Sequence, residues 1–597
     1  MKILPRQIIS TFTIALITFL MTAVQFSTVS PVWAQEGPNV QDVPSIPIER
    51  PFQLPFAQPS GPDTWLMAQP YGNTTGAYRQ RFTTYGASGG IHFGLDLSAP
   101  CGTEVVAIAD GIVFSVDGPF GSPPHNLMID HPELGYASMY GHLVEAPDLV
   151  PGQQVKQGEV IARVGDSGET CYSRPHLHLE IRDLNHIRKF HPVALIEANW
   201  DSLALVGGDG RDFARDLDEP RKWQSLYDQP EARTGGPIIN DFDNPWPLDW
   251  EKGIRNPATR ESLVQSAAFQ KELVITTPLR STSVGAQITS AYCCTQPYWN
   301  EDSSEVRFVD QPGLDAQLGV WGVDLTQPEP QPRVVTERLG VYSPDGTLVA
   351  YPDRKTGLAV IERLADGQQW KIDTQGRGLN FTPDSQHVMW TTYDEDAPRD
   401  NREETTWLAN VDGSDARVVL RSRRTDVVTW LSADELLMTR RIPGGSDEQL
   451  FAVSLADGDQ TELLSASPRM RGLALSPDKR YLVYYVTFEA ESEKNGAWLI
   501  DLQDPEQPAQ KLPFFGTYRW RDNERLIYVP FDPVATYHDF YEYNVATGQS
   551  RPLFPNGTQL TIANNDWQVS PDGRKIAFVA ANGMVLDGIW VLDINQN

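Results

Sequence analysis

Residues 173–182 read SRPHLHLEIR. Side chains on an extended strand return to the same face every second residue, so His176 and His178 point the same way. Residues 91–97 read IHFGLDL, and the same parity places His92 and Asp96 together on one strand face. Two imidazole nitrogens and a carboxylate brought in by separate strands can hold one zinc ion, with a fourth position left for water.

The rest of the chain sets the context for that cluster. At 597 residues it is too long for one hydrophobic core, so two or more domains are expected. A content of 40% hydrophobic residues with 46 Gly and 46 Pro suits a turn-rich globular protein rather than a disordered or helical one. The net charge of -29 argues against a nucleic-acid or anionic-membrane partner, because both reward clustered Lys and Arg.

Lys2 and Arg6 precede an apolar run from about Ile8 to Val24, and Val32-Trp33-Ala34 stands before Gln35. That is the layout of an export signal over residues 1–34, cleaved before Gln35. The run is too short and too rich in Ser and Thr to favour an uncleaved anchor, and no other apolar stretch is long enough to span a bilayer. The mature chain is expected to be secreted, periplasmic or cell-wall associated, without a stable membrane span. Residues 35–64, rich in Pro, Gln and Ser, read as an extended tether.

Between residues 65 and 194, short Val- and Ile-rich or alternating runs are separated by turn residues: 104–116, 126–130, 135–142 and 155–164. The pattern predicts a small all-β domain of antiparallel sheet. Its residues resemble those of the M23 (lysostaphin/LytM-type) metallopeptidases, in the family's order. The matches are HFGLD at 92–96, APCGTEVVAIADGIV at 99–113, NLMIDHPELGYASMYGHL at 126–143, VPGQQVKQGEVIARVGDSG at 150–168 and PHLHLEI at 175–181. The stretches DGPFGSPP at 117–124 and GETCYS at 168–173 depart from the family pattern, and both are loops that bear on substrate choice rather than on the metal.

The resemblance implies that His92, Asp96 and His178 bind a catalytic Zn2+. It also implies that His142 and His176 are non-ligand histidines. Their roles would be to orient or deprotonate the water, and to stabilise the tetrahedral intermediate or protonate the leaving amine. Glu180 shares the parity of His178 and could orient it, although a solvated or core-edge carboxylate is the expectation. His125 and His131 are read as structural, with His131 the better placed to support a ligand. His186, His191, His387 and His538 are assigned no role. Cys101 follows the first ligand strand and Cys171 precedes the second, so a disulfide on the rim of the site and two unpaired thiols are both open readings. The vicinal pair Cys293 and Cys294 is assigned no role.

Residues 195–270 read as an irregular connecting segment with Trp200, Trp223, Trp246 and Trp250. From 271 to 597 the chain repeats a turn of SPDG type followed by a strand: SPDG at 343–346, TPDS at 382–385, SADE at 432–435, SPDK at 476–479 and SPDG at 570–573. Weaker copies stand at 300–302 and 521–524. Spacings of about 40–50 residues match one four-stranded propeller blade. The array resembles TolB-like or WD40-like β-propellers. Seven anchors predict seven blades, or six if one weak copy is spurious, with residues 272–290 supplying the last outer strand to close the ring.

The resulting expectation is an all-β, exported zinc endopeptidase acting on peptidoglycan or another peptide. Its propeller would bind or target, with a protein or glycan as possible ligand. The alternatives are a non-catalytic regulator of wall enzymes and a propeller-based binding platform.

Overall fold

The β9 strand, His176–Asp183, realises the alternation of HLHLEIRD. Leu177, Leu179 and Ile181 are fully buried on one face, each contributing about 1.5–3 kcal/mol by leaving water. The opposite face carries His176, His178, Glu180 and Arg182. The computed structural model describes residues 50–594 apart from 82–83, 169, 172–173, 208–212, 214–219, 222–223, 235–278, 314–315, 354–355, 395–401, 444–446, 555 and 584. The expected export signal, the start of the tether, and Trp223, Trp246 and Trp250 lie outside the described residues.

The other strands of the first domain are β1 (Leu66–Met67), β2 (Leu95–Ser98), β3 (Glu104–Val106), β4 (Gly111–Val116), β5 (His125–His131), β6 (Tyr136–Leu143), β7 (Gln154–Val155), β8 (Val160–Arg163), β10 (Arg188–Phe190) and β11 (Ala232–Arg233). One sheet runs β1-β2-β9-β6-β5-β4-β7, with β10 and β11 continuing from β9, while β3 and β8 pair separately. The register sets Asp96 opposite His178 and Ser98 opposite His176 across β2 and β9. On the other side of β9, Gly141 lies opposite His178 and Met139 opposite Glu180.

Two expectations change here. His92 lies before β2 rather than on it, held by a two-way backbone bridge to Gly72 (2.8 and 2.9 Å). The later part of the tether is packed: Phe52 and Phe56 are buried in the first domain's core, and Phe52 bridges to Ile196. A Pro- and Gln-rich composition hid two aromatic anchors whose burial outweighs the disorder it favours.

The second domain is a ring of seven four-stranded antiparallel sheets. Blades one to six occupy residues 298–336, 341–372, 380–423, 425–467, 471–511 and 516–552. The seventh joins Thr561–Val569, Lys575–Asn582 and Val585–Asp593 to Gly285–Gln287, which pairs with the last strand as Gly285↔Leu592 and Gln287↔Trp590. The outer strand therefore comes from the segment before the array and completes the last blade as a four-stranded sheet like the other six.

The repeated SPDG-type turn joins a blade's innermost strand to its second strand. Ser343 Oγ donates to Asp345 Oδ1 (2.6 Å) and accepts from the Leu348 N–H (2.9 Å), which closes the turn on itself. Ser476 with Asp478 and Ser570 with Asp572 repeat the donation at 2.6 Å. In the weaker copies Asn300 and Asp522 take over, accepting the N–H groups of Glu305 and Arg525 at 2.9 Å. Both weak copies mark true blades. The same local hydrogen-bonding need is met by a different short polar side chain.

The two domains pack together on one face of the propeller, where each blade's second strand ends and each blade hands over to the next. Leu66, Leu205 and Val206 join the apolar cluster of Tyr485, Phe540 and Trp567. Phe488 N–H donates to the Pro62 carbonyl (2.9 Å), and Ser202 Oγ reaches His538 Nε2 (3.0 Å). Arg221 forks onto both oxygens of Asp310 (2.7 and 2.9 Å). His538, expected to be idle, also accepts the Ile562 N–H at 2.9 Å and so joins this contact. Leu205→Ala removes a side chain that is 1% exposed. It should cost about 2–5 kcal/mol of docking and split calorimetric unfolding into two separate transitions.

Candidate metal centre and active site

His92 enters the site because the chain kinks ahead of β2. Gly94 permits the approach, since a Cβ there would lie 2.7 Å from the His178 ring and from the Leu179 carbonyl oxygen. His92 Nδ1 lies 2.9 Å from the Pro70 carbonyl, an acceptor only, so the ring's hydrogen sits on Nδ1 and its Nε2 lone pair faces inward. Nε2 is 3.2 Å from Asp96 Oδ1 and 3.2 Å from His178 Nδ1, and His178 Nδ1 is 2.8 Å from the same Oδ1. On its far side His178 Nε2 faces Glu180 Oε1 at 3.2 Å.

These outer bonds decide what the centre can hold. With one hydrogen committed to Pro70 and another to Glu180, three electron-rich atoms face each other at 2.8–3.2 Å. Only a shared proton or a cation can satisfy them. Burial alone would lower the His178 pKa, but Asp96 and Glu180 on its two nitrogens raise it to about 9. Asp96, despite its burial, is held well below the usual carboxylate range by His92, His176 and His178. A divalent cation fits where that proton sits, and two nitrogens with one carboxylate oxygen are a donor set suited to it.

His142 and His176 stand beside this triangle without belonging to it. Strict alternation from Gly141 would turn His142 to the opposite face. Its left-handed φ of 59° breaks the alternation, and its ring meets His176 at 4.8 Å and His178 at 5.6 Å between centroids. Its Nδ1 is held by the Pro123 carbonyl. Burial, helped by the neighbouring His178 and His176, pushes its pKa down to about 3, so the ring is neutral near physiological pH. His176 Nδ1 is held by the Arg174 carbonyl (2.8 Å), and its Nε2 lies 3.9 Å from Asp96 Oδ2.

Residues 90–191 match the profile of peptidase family M23. This segment is an M23 peptidase domain. Over 92 residues the chain is 40% identical to the DD-carboxypeptidase/endopeptidase Mpg of Neisseria meningitidis serogroup B, covering 15% of this chain and 20% of that protein. It is 39% identical over 89 residues to an uncharacterized metalloprotease of Haemophilus influenzae, covering 15% and 18%. The chain thus spans about a fifth of these relatives' length. A solved structure of a putative TolB from Agrobacterium tumefaciens aligns with 38% of this chain and 84% of its own, at 16% identity and a TM-score of 0.26.

The M23 domain contains supports that sequence reading undervalued. Glu180, expected at a solvated or core edge, is 3% exposed and takes the Arg182 Nε–H at 2.7 Å, with Lys189 Nζ 3.9 Å away. Residues 176, 178, 180 and 182 share one face of β9, so the parity that groups the histidines extends to this charge relay. His131, the better sequence candidate for supporting a ligand, instead bonds the Asp110 carbonyl (2.7 Å) and Ser138 (2.8 Å). Cys101 and Cys171 are joined, with Cα atoms 5.5 Å apart, tying the end of β2 to the loop before His176. Cys293 and Cys294 also form a disulfide, which sequence reading left without a role.

Glu180→Ala would strand Arg182 and Lys189 in a buried site. It should destabilise the M23 domain by about 3–5 kcal/mol in denaturant titration, more than Glu180→Gln. The Cys101–Cys171 bond closes a loop of sequence separation 70. Replacing both cysteines by Ser should cost about 2–4 kcal/mol and remove the sensitivity of this domain's melting temperature to reductant.

Proposed function

We propose that this protein is an exported zinc endopeptidase that hydrolyses peptide bonds in the stems or cross-links of bacterial peptidoglycan. The observation that carries the reading is the triangle of His92 Nε2, Asp96 Oδ1 and His178 Nδ1, whose outward hydrogens are already committed to Pro70 and Glu180. The M23 match and the endopeptidase named in Neisseria support the reaction and the substrate class. The signal-like residues 1–34 and the Cys101–Cys171 disulfide support an oxidising compartment outside the cytoplasm.

Bound by these three residues, zinc would supply Lewis acidity, acidifying water and polarising the scissile carbonyl. The chain's own residues do the remaining work. Pro70 and Glu180 fix the tautomers of His92 and His178 so that both present lone pairs. His142 and His176, each held through Nδ1 by a carbonyl, offer Nε2 to the cavity. They divide the two proton transfers, one from the attacking water and one to the leaving amine. A regulator without catalysis has no use for this complete set.

Metal analysis and digestion of purified peptidoglycan test the reading. The wild type should carry one zinc per chain and release peptide fragments, while His178→Ala should lose the metal and nearly all cleavage. A wild type without zinc, or a His178→Ala that cleaves equally well, would falsify it. Glu180→Gln should bind zinc about 10–100-fold more weakly, read by competition with a chelating dye.

A further inference from the structure

The cavity over the candidate metal centre, about 1050 Å³, is lined by Arg441 of blade four, Arg471 of blade five and Arg469 between them, and by residues 119–123 of the M23 domain. These last belong to the connection from β4 to β5, where residues 117–124 read DGPFGSPP and depart from the M23 pattern. The sequence pattern assigns this loop to substrate choice. Its hydrogen bonds lead instead to His142.

Both the backbone and the ring of His142 are held by the loop. The His142 N–H donates to the Ser122 carbonyl (3.2 Å), and Nδ1 donates to the Pro123 carbonyl. A carbonyl only accepts, so the ring's hydrogen sits on Nδ1 and the Nε2 lone pair is left for the cavity. The left-handed backbone at His142 is unfavourable for a residue with a Cβ and persists where its surroundings impose it. Ser122 holds one side of the residue, and the Gly165 N–H, 2.8 Å from the His142 carbonyl oxygen, holds the other. The close approach also requires the glycine before His142, since a Cβ at Gly141 would lie 2.2 Å from the Ser122 Cβ.

Two side chains fix the loop in turn. Phe120 packs on Met128, Ala137 and Met139, an apolar cluster separate from the main core. Met139 and Ala137 lie opposite Glu180 and Arg182 across β6 and β9, so this cluster shares the histidines' face of the sheet. Arg182, 3% exposed, gives Nη2 to the Phe120 carbonyl (2.9 Å) and Nε to Glu180 (2.7 Å). One guanidinium thus joins the carboxylate that holds His178 to the loop that holds His142.

We propose that Phe120 and Arg182 are positioning residues that, through the 117–124 loop, fix the tautomer and orientation of His142 beside the metal centre. The proposal rests on the peptidase reading for the proton transfer given to His142, but not for its tautomer. Loosening the loop then slows the chemical step and leaves substrate affinity alone.

The test uses the full chain incubated with zinc. Phe120→Ala removes the anchor, Phe120→Leu keeps its apolar contact, and Gly141→Ala presses on the loop without altering the cluster. Nitrogen chemical shifts of isotope-labelled histidine, with the His142 signals identified by their absence in His142→Gln, read which ring nitrogen carries the hydrogen. Initial rates on solubilised peptidoglycan and competition with a chelating dye give kcat, KM and zinc affinity. Wild type and Phe120→Leu should show a single Nδ1–H tautomer at His142. In Phe120→Ala and Gly141→Ala both tautomers should appear and kcat should fall about 10–100-fold, with KM and zinc affinity within about twofold of wild type. If Phe120→Ala fails to fold, Gly141→Ala decides. A His142 tautomer unchanged by either variant overturns the proposal, as does a loss of kcat matched by a loss of zinc, or a rise in KM alone. If the wild type cuts nothing, the peptidase reading fails by itself and the tautomer still decides the positioning role.

Discussion

The candidate metal centre of the M23 domain depends on two hydrogen bonds that point away from it. Pro70 takes the Nδ1–H of His92, and Glu180 takes the Nε2–H of His178. An imidazole has one lone pair to give when neutral, so committing the outer nitrogen decides which inner atom is electron-rich. Were either partner lost, the ring could reverse its tautomer and present a hydrogen where a lone pair is needed. Glu180 can play this part because Arg182 and Lys189 balance its buried charge. The chemistry of the site thus rests on a row of side chains along one face of β9.

That row exists because β9 is buried on one face and polar on the other. Its leucines and isoleucine anchor the strand in the core, and the two-residue period then delivers 176, 178, 180 and 182 to a single face. Neighbouring strands complete the arrangement through register, with Asp96 directly opposite His178. A one-residue slip of β9 would turn His178 and its row to the core face and leave Asp96 without its partner.

The propeller obeys a different constraint. Each blade needs a turn that satisfies its own polar groups, and the ring needs its last blade completed from the far end of the array. The Ser–Asp turns meet the first need and Gly285–Gln287 meets the second. With the ring closed, the available apolar surface for docking is the face that receives Leu66, Leu205 and Val206. Docking there brings blades four and five to the mouth of the cleft over the candidate metal centre.

Much of this was legible in local pattern. The His176/His178 pair, the conjunction with His92 and Asp96, and the spacing of SPDG turns are short-range features, and period and turn chemistry report them directly. The left-handed turn that swings His142 toward its partners is invisible to alternation, which would have sent it the other way. The buried role of Glu180 depended on charges two and nine residues along the chain meeting it in space. Phe52 and Phe56 show that composition alone misjudges a segment once a core accepts its aromatics. Arg441, Arg469 and Arg471 lie more than 250 residues from the histidines they face, and no pattern in the chain connects them. Local chemistry could name the parts, whereas their meeting in one cavity needed two independently formed domains to dock, a contact between surfaces that no local period encodes.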